Sequence, residues 1–67
     1  TGNMGDAEPV GDGVIELKID HGPGYRVYLG IDGDEVILIL AGGDKSTQKS
    51  DIDRAKSFWN EYKGSKK

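Results

Sequence analysis

Apolar and polar residues alternate along Val14–Asp20: Ile15, Leu17 and Ile19 fall on one side, and Glu16, Lys18 and Asp20 on the other. Period-two alternation predicts a half-buried strand, because successive side chains of a strand point to opposite faces. Gly22-Pro23-Gly24 reads as a turn. In Tyr25–Ile31, Val27, Leu29 and Ile31 alternate with Arg26 and Tyr28, which predicts a second strand. Asp32-Gly33 has the composition of a type I′ hairpin turn. Glu35–Ala41 is apolar at successive positions and reads as a third strand, central or covered on both faces. A three-residue Gly22-Pro23-Gly24 loop sets Ile19 opposite Val27, Leu17 opposite Leu29 and Ile15 opposite Ile31. Asp20 then pairs with Arg26, and Lys18 with Tyr28. A two-residue Asp32-Gly33 turn sets Leu29 beside Val36 and Val27 beside Leu38. These pairings gather Ile15, Leu17, Ile19, Val27, Leu29, Ile31, Val36, Leu38 and Leu40 on one face.

A helix is expected after Gly42-Gly43-Asp44, starting between Thr47 and Ser50, with Ser50 and Asp53 as a capping box and Gly64 as its stop. Ile52, Ala55, Phe58, Trp59 and Tyr62 fall on one arc, the stripe of a core-facing helix. Thr1–Gly13 has four glycines, a proline and no periodicity, and reads as an extended lead. The fold class expected is α+β: a three-stranded antiparallel β-meander followed by one C-terminal α-helix. It comprises an extended lead over 1–13, the meander and helix over 14–64, and a frayed tail over 65–67. The helix stripe is expected on the Leu17/Val27/Leu38 face.

Composition narrows the chemistry. With 67 residues, no cysteine and a single histidine, the chain offers neither a disulfide nor a Cys/His zinc site, and no cofactor is expected. The longest apolar run, Val36–Ala41, is too short to cross a membrane, so a cytoplasmic protein is the default. The formal charge of −3 argues against a general nucleic-acid binder but leaves room for a local basic patch.

Several strings resemble the phage-derived, HigB-like killer proteins of the RelE/ParE superfamily. They are Gly2-Asn3-Met4-Gly5-Asp6, Pro9-Val10-Gly11-Asp12-Gly13-Val14, Glu16-Leu17-Lys18-Ile19-Asp20 and Gly22-Pro23-Gly24-Tyr25-Arg26-Val27-Tyr28. Gly42-Gly43-Asp44-Lys45-Ser46, Gln48 and Asp51-Ile52-Asp53-Arg54-Ala55-Lys56 complete the set. The resemblance implies the toxin of a toxin–antitoxin module, with an antitoxin protein as partner and mRNA on the ribosome as substrate. It also implies a truncated fold, since such proteins normally carry a further N-terminal strand and two helices over the apolar face of the sheet. In that chemistry a ribose 2′-oxygen attacks the scissile phosphate, and fixed cations lower the barrier by stabilising the added negative charge. The resemblance assigns Arg26, Lys45 and Lys18 as catalytic and Tyr28 and Gln48 as substrate-binding. The alternative is a catalytically inactive interaction module that self-associates or binds an antitoxin. Because one helix leaves part of the apolar face bare, a homodimer is expected, with Trp59 or Phe58 near its interface.

Overall fold

The computed structural model describes residues 6–19, 24–43 and 45–65. Four strands, β1 (Ala7–Gly11), β2 (Val14–Ile19), β3 (Tyr25–Asp32) and β4 (Glu35–Gly42), form one antiparallel sheet in the order β1-β2-β3-β4. A 3-10 turn (Lys45–Thr47) leads into the helix α1 (Gln48–Ser65). The sheet thus has four strands where three were expected, and the lead supplies the fourth. Asp12 and Gly13 both take positive φ, 58° and 84°, the type I′ hairpin geometry. The turn folds Ala7–Gly11 back onto β2, pairing Ala7 with Leu17 and Glu8 with Glu16. Pro9 and Gly11 had marked the segment as loop, yet Pro9 lies on an edge strand, where a missing N–H is tolerated, and the register shifts between it and Gly11.

Both expected registers slip by two residues. Leu17 pairs with Val27, Ile15 with Leu29, Lys18 with Arg26 and Glu16 with Tyr28. Asp32 pairs with Glu35 across Gly33-Asp34, and Leu29 with Leu38. Only Gly33 of that turn has positive φ, 62°, at the position where a type II′ turn puts glycine. A slip of two keeps every side chain on its face, so the division into faces survives. The Asp20 side of the expected Asp20–Arg26 pair and most of the Gly22-Pro23-Gly24 turn lie outside the described residues. A bulge between Tyr28 and Leu29 alters the far end of β4, setting Leu40 opposite Tyr28 and Ala41 opposite Val27. Leu40 therefore leaves the all-apolar face for the opposite one.

The helix covers the other face from the one expected. Ala55 and Trp59 are buried with Val14 and Tyr28, and Val10, Ile37, Ile39, Leu40, Ile52 and Tyr62 pack around them. Trp59 selects this face, because Gly30 leaves it a socket: a Cβ at Gly30 would stand 2.6 Å from two atoms of the indole. No residue of the all-apolar face offers such a recess. Trp59 is thereby consumed by the core at 3% exposure, while Phe58 stays exposed on the helix. The expected Ser50–Asp53 capping box gives way to other contacts. Ser50 Oγ donates to the Thr47 carbonyl, and the Thr47 hydroxyl donates to Asp51 Oδ2 at 2.9 Å. Gly64 does not stop the helix, which continues through Ser65.

The face under the helix is consequently divided. Its Val14/Tyr28/Gly30/Ile37 end is roofed by α1, and its Lys18/Arg26 end is open. The outer face, with Ile15, Leu17, Ile19, Val27, Leu29, Ile31, Val36 and Leu38, carries no helix. Ile31, Val36 and Leu38 are 50%, 62% and 63% exposed there.

Candidate functional site

The open end of the divided face is a cleft of about 290 Å3 lined by Asp6, Glu8, Glu16, Lys18, Arg26, Lys45 and Gln48. Its floor comes from β2 and β3, one wall from β1, and the other from the 3-10 turn and the start of α1. Lys18, Arg26, Lys45 and Gln48, named from the sequence, are brought together here from separate segments. Tyr28 is not among the lining residues; it is fully buried beneath the helix.

Glu16, which the sequence reading left out, is the centre of the floor. It is only 7% exposed. Its Oε2 accepts from the Tyr28 hydroxyl at 3.1 Å and from Gln48 Nε2 at 2.9 Å, and Arg26 Nε stands 3.8 Å away. A buried carboxylate needs such donors, because loss of hydration penalises its charge. Glu16 thus fixes Gln48 from the helix side and Arg26 from β3. Arg26 Nε is itself buried and makes no hydrogen bond. The signal for Glu16 was present in the alternation, since it shares the face of Lys18. The register expected from the sequence sets Lys18, not Glu16, against Tyr28, whereas the structure pairs Glu16 with it.

Directly opposed residues on this face carry like charges: Lys18 faces Arg26, and Glu8 faces Glu16. Such cross-strand pairs are destabilising. Two of them at one cleft are a cost that folding alone gives no reason to accept. Formal charge in the cleft balances, with Asp6, Glu8 and Glu16 against Lys18, Arg26 and Lys45. Asp6 and Glu8, just before and within β1, nevertheless sit to one side. Among the described residues, Asp6, Glu8, Lys18 and Lys45 close no ion pair. No group of three or more His, Cys, Asp or Glu side chains among the described residues is placed to hold a metal ion.

Burial pushes the Tyr28 hydroxyl up to about 12 from its ordinary 10.0, and its hydrogen bond to Glu16 adds to the effect. Folding therefore favours the protonated phenol. The stabilisation is complete below pH 10 and is lost as pH rises from 10 toward about 12, where the folded-state group ionises. A thermal melt series should fall steeply across that window, by an amount on the order of 2–3 kcal/mol. Tyr28→Phe should lose this part of the fall, and an unchanged alkaline profile in that variant would show that Tyr28 does not govern it.

Among the described residues, no helix is long and apolar enough to cross a membrane. No family model matches the chain, and no solved structure matches it. A Haemophilus influenzae protein described as an uncharacterized protein is 54% identical over 55 residues, which cover 82% of this chain and 56% of that relative. The chain thus spans little more than half the length of the relative it is similar to.

Proposed function

We propose that the chain is the sheet-and-helix portion of a RelE/HigB-like toxin, acting in the cytoplasm, and that its cleft holds a phosphate of single-stranded RNA. The observation that carries this reading is the convergence of Lys18, Arg26, Lys45 and Gln48 on one cleft. Lys18 and Arg26 stand as direct cross-strand neighbours despite their repulsion. In the chemistry proposed, the ribose 2′-oxygen gives its proton to solvent and attacks the phosphate, the P–O5′ bond breaks to leave a 2′,3′-cyclic phosphate, and the departing 5′-oxygen takes a proton from solvent; Lys18, Arg26 and Lys45 take up the charge that develops on the phosphate. A cation already held in place does this with little reorganisation. Arg26 is best held for the task, through Glu16. Tyr28 acts from beneath, as a donor that keeps Glu16 in place. Gln48 spends its amide on the same carboxylate and keeps only its remaining polar capacity for a ligand. An antitoxin protein is the partner this reading implies, and mRNA on the ribosome its substrate.

Two measurements test it. Affinity for short single-stranded RNA should fall with salt at a slope of roughly −2 on logarithmic axes, as expected for about three phosphate neutralisations on a single strand. Cleavage of mRNA in a translating extract should slow at least about tenfold in Arg26→Ala, since one well-placed transition-state donor is worth ~2.7–4 kcal/mol. Salt-independent binding, or cleavage indifferent to Arg26→Ala and Lys45→Ala together, removes the reading. A second reading, a self-associating interaction module without catalysis, is favoured by the bare apolar outer face.

A further inference from the structure

The acidic side of the cleft has no part in holding phosphate, which it repels. We infer that Asp6 and Glu8 are its base-reading groups, and that they select RNA bases bearing an exocyclic amine. This inference rests on the RNA reading given above. Contacts to phosphate position a nucleic acid, whereas contacts to base edges distinguish one sequence from another. Lys18, Arg26 and Lys45 supply contacts of the first kind. Asp6 and Glu8 have the chemistry for the second, because an ionised carboxylate only accepts hydrogen bonds.

The register sets where these groups lie. Glu8 is directly opposite Glu16, so its side chain emerges on the cleft face. Asp6, the residue before β1, lines the same cleft as Lys18, whose cross-strand neighbour is Arg26. The cleft thus sets two carboxylates on one side against cations on the other. Asp6 and Glu8 are exposed, and no ion pair with the facing lysines closes the gap among the described residues. The space left between them suits a ligand with an anionic group at one end and hydrogen-bond donors at the other. A nucleotide whose base carries an amine is such a ligand. Its phosphate lies toward Arg26, and its amine donates to Asp6 or Glu8. Cytosine offers its N4 amine, adenine its N6 amine and guanine its N2 amine. Uracil carries a carbonyl oxygen where cytosine carries the amine, so a carboxylate that reads position 4 repels it there, and only its N3–H remains as an edge donor.

Cytosine and uracil share the pyrimidine ring and differ only on that edge, at position 4 and at N3, which makes them the discriminating pair. Fluorescence anisotropy with short, labelled oligocytidine and oligouridine at low salt compares them on the full chain. The expected result is about fivefold tighter binding of oligocytidine, the low end for a base-edge contact because both carboxylates are exposed. In the Asp6→Asn/Glu8→Gln variant the two affinities should converge, mainly through stronger binding of oligouridine. Both substitutions are on the surface and leave the core untouched. Equal binding of the two oligomers by the unaltered protein overturns the inference, as does a preference that persists in the double variant. If neither oligomer binds, or binding ignores Arg26→Ala, the RNA reading itself fails and this inference falls with it.

Discussion

Trp59→Ala should cost the protein a large part of its stability, about 3–5 kcal/mol. The indole is 3% exposed and fills the space between the helix and Gly30. It stacks on Tyr62 with centroids 5.1 Å apart and planes within 10°, and Lys63 Nζ lies 5.8 Å from its ring. Truncating a buried tryptophan costs about 3–5 kcal/mol. A domain of this size has a total stability of roughly 3–10 kcal/mol, so one substitution removes a large part of it. Gly30 gives the same contact from the other side. A methyl group there would stand 2.6 Å from the ring, which must move, and overpacking of this kind costs about 1–3 kcal/mol. The pair should be strongly non-additive. With Trp59 replaced by alanine, Gly30→Ala has nothing left to strike and should cost close to zero. Urea unfolding followed by circular dichroism measures all four members of the cycle. Additive losses would mean that the Trp59–Gly30 contact does not define the core.

Self-association through the outer face is the second large effect expected. Eight apolar residues from three strands share that face, and Ile31, Val36 and Leu38 are at least half exposed. Patches beyond a few hundred Å2 are uncommon on monomers. Two such faces can pack as a sandwich about 10 Å thick, closing a two-fold dimer. Trp59 plays no part in that contact, being enclosed in its own subunit, and exposed Phe58 lies on the helix side of the sheet. Leu38→Glu places a charge on the most exposed residue of the patch and should weaken the dimer at least about a hundredfold, roughly 2.8 kcal/mol. The monomer fold should survive, since Leu38 packs little within it. Sedimentation over a dilution series reads both results. A monodisperse monomer at tens of micromolar, or a dimer indifferent to Leu38→Glu, would end the proposal. Trp59→Ala and Leu38→Glu separate cleanly, because one empties the inner core and the other alters only the outer face.

The local sequence determined the elements from Val14 onward and their division into faces. Alternation with period two sets which side chains share a face, and register slips of two residues leave that unchanged. The same alternation put Lys18, Arg26 and Tyr28 together, and Gly42-Gly43 placed Lys45 close enough to join the cleft. The first strand was legible in principle. Asp12-Gly13 is the same dipeptide that marked a turn at Asp32-Gly33, but the glycines and proline around it concealed the short strand they flank. Only the tertiary structure decided which face the helix covers. Hydrophobicity favoured the all-apolar face; shape favoured the other, because a large rigid indole needs a recess and Gly30 provides one across the strand from Val14. That choice buried Tyr28 and Glu16 together, drew Gln48 down to the same carboxylate, and left the Lys18/Arg26 end open. Pairing registers, the bulge that turns Leu40 inward and the closeness of Asp6 and Glu8 to the cations all depend on contacts between distant segments. A period in the sequence carries no information about those distances.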